Sequence, residues 1–166
     1  MAVRPVVLLP DPCLTSVAQP VGLVDESARA LARDLVDTMR SRAACVGLAA
    51  PQIGVSRRAF VIDVTGHRKA NRCHGEMVLL DPEIVEASGP AIAREGCLSV
   101  PDFTGDVARP ATITVRGLDP NGDQRVIETD AFEARAVLHE IDHLDGLLFL
   151  DRVSSSQAVF RRKVYR

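Results

Sequence analysis

The pentapeptide His139-Glu140-Ile141-Asp142-His143 constrains this chain more than any other stretch of it. Residues four apart on a helix share a face, with Cβ atoms about 5–6 Å apart, so two imidazoles placed there can converge on one ion. Glu140, beside the first histidine, could act on a water held by that ion. This is the H-E-x-x-H logic of metallohydrolases. The motif therefore demands a helix, and Phe132 and Ala136 on the same face as the histidines require that face to look into the protein. The pattern also arises by chance, but two of the chain's four histidines are in it.

The flanking residues support a helix there. Asp130 with Glu133 three residues later resembles a capping box, and Gly146 is a stop signal, which predicts a helix over residues 131–144. Asp25 reads as the N-cap of another. Behind it Ala28, Leu31, Ala32, Leu35, Val36 and Met39 form one apolar stripe, predicting a helix over 26–43. Val6 to Leu9 reads as a short strand or extended arm. Cys45 to Gly54 is rich in small residues and contains a proline, so it suits a tight extended segment. Ala59 to Val64, Met77 to Leu80 and Glu83 to Ala87 read as strands, and Gly66 to Gly75 as a polar, basic loop. Ala111 to Leu118 and Gln124 to Thr129 read as a hairpin around the Asp119-Pro120-Asn121-Gly122 turn. The class is α+β: short, mostly antiparallel strands packed around a central helix that bears the motif, with an amphipathic helix nearer the N-terminus.

With 166 residues there is room for one domain, taken as 1–166. The chain is 46% hydrophobic and 25% charged with a net charge of −2, which excludes a global bias toward nucleic acid or acidic lipid. No stretch approaches the roughly 20 apolar residues that cross a bilayer. Met1 to Pro10 is too short for a signal peptide, so the expected location is cytoplasmic, as a monomer with no membrane partner and no specific nucleic acid. Cys13, Cys45, Cys73 and Cys97 are scattered without a C-x-x-C pair; in that compartment disulfides are not expected, and one chemical cysteine is plausible.

Two histidines leave a catalytic zinc-type site one ligand short. The run H-E-I-D-H-L-D-G-L-L-F follows the metzincin spacing until its last position, where Phe149 cannot ligate. No Asp or Glu follows Asp151, so a thermolysin-like acid is missing too. The third ligand must come from upstream. Cys97, within Glu95-Gly96-Cys97-Leu98-Ser99-Val100-Pro101, is the best candidate, with Gly96 allowing close approach and Pro101 ending the segment. Taken alone, a cysteine there is more often a small core residue. A purely structural metal site would need a fourth ligand, for which His67, Cys73 and His74 are spare. The Cys73-His74 pair reads as surface decoration.

Three ordered segments carry a further signal. Cys45-Val46-Gly47-Leu48-Ala49-Ala50-Pro51-Gln52 fits Gly-x-Gly-φ-Ala-Ala-x-Gln, where φ is apolar. Glu95 to Ser99 fits Glu-Gly-Cys-φ-Ser, and Leu138 to His143 fits Gln-His-Glu-φ-Asp-His. With Asp11-Pro12-Cys13-Leu14, Asp81-Pro82-Glu83, Arg109-Pro110 and Leu144-Asp145-Gly146, the chain resembles the peptide deformylase family over nearly its whole length. It departs at Cys45, where the family has glycine, and at Leu138, where it has glutamine. Leu138 puts in question what holds His139 from behind.

The resemblance implies hydrolysis of the N-formyl group from the formyl-methionine of newly made polypeptides, with release of formate. Cys97, His139 and His143 would hold one divalent ion, iron(II) in the native enzyme, with zinc, nickel or cobalt able to replace it. Water would take the fourth position, activated by Glu140 as general base. Gln52 and the Leu98 backbone N–H would stabilise the oxyanion. Val46, Gly47, Glu95 and Phe132 would lie at the substrate cleft, Gly47 letting the substrate backbone approach and Val46, Leu98 and Phe132 walling a methionine pocket. Glu95 and Arg109 would brace the Cys97 segment as an ion pair, and Asp142 would pair near the end of its helix. The partners would be formylmethionyl nascent chains and, through the basic run Arg161 to Arg166, a transient ribosome contact; that run also reads as a solvated helix end. A small metallopeptidase and a non-catalytic deformylase-like protein are the competing readings.

Overall fold

Ala59 to Ile62 is apolar at every position, a pattern that suits a strand covered on both faces. The computed structural model describes residues Ala2 to Lys163 and places this segment at the centre of the molecule. The sheet contains, among the described residues, β1 (Gly47–Ala49), β2 (Ala59–Ile62), β3 (Met77–Cys97), β4 (Val100–Leu118), β5 (Gln124–Asp130) and β6 (Val159–Arg161). All pairings are antiparallel in the order β1-β2-β3-β4-β5, and β6 adds to the early part of β4, from Phe103 to Gly105.

Side chains alternate across a strand, and β2 divides its own between two cores. Phe60 and Ile62 join Leu79, Ile113 and Val115 of the sheet under Val137, Ile141 and Leu144 of helix α2 (Ala131–Leu144). Ala59 and Val61 join Leu48 and Leu80 under Leu31, Leu35 and Met39 of helix α1 (Glu26–Arg40). Burying each large side chain contributes about 2–3 kcal/mol, so these two layers dominate the stability of the fold. A third cluster, Cys97, Val100 and Val107 with Leu148 and Phe149, lies under the β3–β4 turn, where the short helix α3 (Phe149–Arg152) packs.

The antiparallel α+β arrangement around the motif-bearing helix is the one expected from sequence. α2 has the expected limits, Ala131–Leu144, and Gly146 follows in the left-handed region at φ 72°. Asp25 caps α1 through a hydrogen bond from the Ala28 N–H, 2.9 Å.

Several details differ from expectation. α1 stops at Arg40 rather than residue 43, because Arg42 N–H falls back three residues to Met39 O in a tightened last turn and Ala44 takes a positive φ of 59°. The capping box at Asp130 does not form. Asp130 instead accepts from Asn71 and the Arg72 N–H, and Glu133 is drawn inward to His74 and Thr129. The strands expected over 77–80 and 83–87 are one strand of 21 residues, β3. It absorbs the Asp81-Pro82 interruption as a register shift, with Asp81 at φ 48° and its carboxylate bound to the Val21 and Gly22 N–H groups. Pro101 does not end the Cys97 segment; β4 runs through it, since a proline near the start of a strand loses no essential ladder bond. Of the two expected forms of Val6 to Leu9, strand or extended arm, the arm is the one present, with Val7 N–H on Gln52 O and Leu9 N–H on Ser99 O. The Cys45–Gly54 segment is extended only through β1 and then closes in a 3-10 turn, Ala50–Ile53. The described start of the basic run is a strand end rather than a helix end: β6 pairs Arg161 with Phe103, and Val164 to Arg166 lie outside the described residues.

Candidate metal centre

Cys97 closes β3, and His139 and His143 project from successive turns of α2. One ligand atom from each comes within 4.8 Å of the others. Cys97 Sγ is 3.3 Å from His143 Nε2, and the two imidazoles meet edge to face at 5.1 Å between centroids. Cys97 and His143 are buried, and His139 is nearly so. A thiol and two imidazoles suit one borderline divalent ion, and among the described residues no fourth His, Cys, Asp or Glu joins the group. Burial, followed by the charge of His139, holds the pKa of His143 well below its usual value, which favours the neutral imidazole that a metal needs. His139 is shifted the other way: burial opposes its protonation, but hydrogen bonds with Cys97 and Glu95 outweigh that.

The doubt raised by Leu138 is answered from across the sheet. His139 Nδ1 is 2.9 Å from Glu95 Oε2 on β3, which fixes the ring so that Nε2 is the free atom. Glu95 in turn receives Arg109 at both oxygens, 2.5 and 2.9 Å, and Arg135 at 2.8 Å. Arg109 also donates to Asp142 at 2.8 Å, and Arg152 closes the far side of Asp142. Burial would raise the pKa of Glu95, but the Arg109 and His139 hydrogen bonds overcome it and bring it down to about 2. The expected brace from Glu95 and Arg109, and the pairing of Asp142, are thus present. Glu95, expected at the substrate cleft, also lines the cavity described below, with both of its oxygens committed to the brace.

Gln52 is buried in the 3-10 turn after β1. Its Oε1 accepts the Ala49 N–H at 2.9 Å, which fixes the amide and directs Nε2 to Cys97 Sγ at 3.4 Å and Ser99 Oγ at 3.3 Å. Leu98 sits in the β3–β4 turn, and among the described residues no backbone carbonyl takes its N–H. Glu140 is buried beside the ligands with Oε2 unpartnered, and burial pushes its carboxyl up to about 7. Gly47 explains how that carboxylate fits. A Cβ at this position would collide with Glu140 Oε1, so the glycine clears space for the acid as well as for an approaching chain.

These groups line one open cavity of about 280 Å³. Val46, Leu98, Phe132 and Ala136 supply apolar wall. The Phe132 ring is stacked on His67 at 3.9 Å. His74 binds Glu133 through Nδ1 at 2.7 Å. The loop over residues 66–75 therefore braces the cavity wall, and His74 is not surface decoration. Sequence spacing gave no sign of these contacts, nor of Arg135 and Arg162 in the lining. Cys45 lines the cavity, with Sγ on Gly47 O at 3.1 Å. Burial first, then the nearby Glu140 and Cys97 charges, push this thiol up to about 11.

Comparison with known proteins gives one consistent result. The family model described as polypeptide deformylase matches residues 3–159. The peptide deformylase of Thermomicrobium roseum is 46% identical over 154 residues, covering 92% of this chain and 87% of the relative. That of Desulforudis audaxviator is 45% identical over 98% of this chain and 99% of its own. Among solved structures, a peptide deformylase from Legionella pneumophila superposes with a TM-score of 0.83 at 43% identity, covering 92% of this chain and 87% of that one. The peptide deformylase from Ehrlichia chaffeensis in complex with actinonin reaches 0.87 at 36% identity, covering 95% and 92%.

Proposed function

This chain belongs to the polypeptide deformylase family, and on that premise we propose that it hydrolyses the formamide of N-terminal formyl-methionine in new polypeptides, releasing formate. The observation that carries the reading is the meeting of Cys97, His139 and His143 donors within 4.8 Å beside the buried Glu140 carboxylate, where Cys97, His139 and Glu140 line an open cavity. Cys97, His139 and His143 would hold one divalent ion, which would supply Lewis acidity toward water and the formyl carbonyl. Glu140 takes the proton of the attacking water and returns it to the departing amine. The Gln52 amide and the Leu98 N–H meet the negative charge that develops on the formyl oxygen. Val46, Leu98 and Phe132 enclose the methionine side chain. Glu95 is a positioning residue, acting through His139. A donor set of three, where a structural site would need four, favours catalysis over the structural-site reading.

The finer readings rest on family resemblance. Residues 1–166 act as one catalytic domain, the native ion is iron(II), and the enzyme works as a cytoplasmic monomer. No helix of the described chain is long and apolar enough to cross a membrane. The basic run from Arg161 contacts the ribosome transiently, in a salt-dependent way; equal pelleting with ribosomes by a chain cut after Ser156 would count against that.

The test of the function is formate release from a formyl-Met-Ala-Ser peptide by protein prepared anaerobically with iron(II). Metal-loaded protein that releases none would sink the reading, and cleavage of unformylated peptides would revive the metallopeptidase. The geometry at Gly47 adds a sharper expectation. Gly47→Ala should lower kcat at least ~10-fold, because the new methyl displaces Glu140 and a shift near 1 Å can cost up to ~100-fold. Metal content should stay at wild-type stoichiometry, and an unchanged kcat would contradict the placement of Glu140.

A further inference from the structure

Three arginines line the cavity, Arg94, Arg135 and Arg162, and two of them are already matched. Arg135 is bound to Glu95 and to the carbonyls of Ala91 and Val107. Arg94 gives Nε to Asp106 at 2.6 Å, and its guanidinium lies 3.7 Å from the centroid of Phe160. Arg162 is different. Its main chain is held where β6 ends, by a 2.9 Å bond from its N–H to Asp102 O. Its guanidinium lies against Gly96, where a Cβ would stand 2.5 Å from Nη2, and makes one long hydrogen bond, 3.4 Å, to Cys97 O. Among the described residues no Asp or Glu pairs with it, while the acids nearest in the lining, Glu95 and Glu140, belong to the brace and the catalytic floor. Outward from Arg162 the surface continues as a shelf of Arg94, Thr104, Phe160, Arg161 and Lys163. A basic surface thus joins the catalytic cavity directly, and Gly96 leaves room for its innermost charge.

Resting on the deformylase reading, we propose that Arg162 is a specificity-determining residue that binds a carboxylate on the peptide downstream of formyl-methionine. Arg162 shares the lining of one cavity with Cys97, His139 and Glu140, and an extended chain advances about 3.3 Å per residue, so the carboxylate belongs to the first few residues. It can be an acidic side chain or the free end of a short peptide. Arg161 and Lys163 raise the local potential and make the preference sensitive to salt.

The experiment compares three substrates on the iron(II) enzyme: formyl-Met-Ala-Ser free acid, formyl-Met-Ala-Ser amide and formyl-Met-Ala-Glu amide. An exposed ion pair of this kind supports a KM about 3–5-fold lower for a peptide with a carboxylate than for the plain amide, at equal kcat. The gap should close at high salt, disappear in Arg162→Gln, and persist in the charge-matched Arg125→Gln on β5. A gap only with the free acid assigns the subsite to chain ends, and a gap only with the glutamate peptide assigns it to side chains; both support it. Equal KM values with normal formate release, or a gap that survives Arg162→Gln, overturn the assignment alone. Arg162→Gln that loses ribosome pelleting yet keeps the gap also overturns it, in favour of an RNA contact. No formate from any peptide overturns the deformylase reading and this assignment with it.

Discussion

Replacing Glu140 by alanine is expected to lower kcat for formate release by about 10²–10⁴-fold, the range that a positioned proton-transfer group supplies. The carboxylate is buried beside the three ligand atoms, and Gly47 is shaped around it. It is not a ligand in the Cys97-His139-His143 group, so metal stoichiometry should be preserved. Stability should also be preserved, because Oε2 has no hydrogen-bond partner among the described residues and a buried, unpartnered carboxylate contributes nothing favourable. Formate production, bound metal and the unfolding midpoint of the same preparation would separate these effects. Activity near wild type would remove Glu140 from the mechanism. Loss of metal or of the fold would show instead that the residue is structural.

The largest expected effect on stability comes from Arg109. Its side chain is 5% exposed and holds Glu95 with two hydrogen bonds and Asp142 with one. Arg109→Met keeps most of the volume and removes the charge. Breaking one member of a buried ionic cluster costs about 3–5 kcal/mol, since the remaining charges stay desolvated. Arg135 still reaches Glu95 and Arg152 still reaches Asp142, which places the expectation near ~3 kcal/mol. At roughly 2–4 °C per kcal/mol for a chain of this size, Tm should fall by about 10 °C. Urea unfolding measures the free energy directly, and a loss below about 1 kcal/mol would mean that the cluster contributes little. Metal affinity should fall as well, by about 10–100-fold, because Glu95 orients His139 and would no longer be held.

Much of this was legible in the chain. The stripe of Leu31, Leu35 and Met39 and the unbroken apolar run of β2 specify which faces are buried, because burial follows the local period of a helix or strand. His139 and His143 share a face for the same reason. Where two local signals competed, the sequence was ambiguous. Asp81-Pro82 looked like a break between strands, and only the pairing of β3 with β4 shows that the ladder resumes beyond it.

The partner of a polar group is another matter. Local spacing records which face of an element is buried, and carries no trace of what is packed against it from 40 or more residues away. The third metal ligand stands 46 residues before His143, and only the motif context of Cys97 pointed to it. That Glu95 holds His139 where Leu138 cannot, that Gly47 makes space for Glu140, and that Gly96 makes space for Arg162 are consequences of strands and helices meeting. The sequence by itself determined the two helix faces, the strand that carries both cores and the residues able to bind a metal. Only the tertiary structure decided which charges neutralise one another and which arginine remains to face the cavity, because those outcomes depend on distances that the order of residues does not contain.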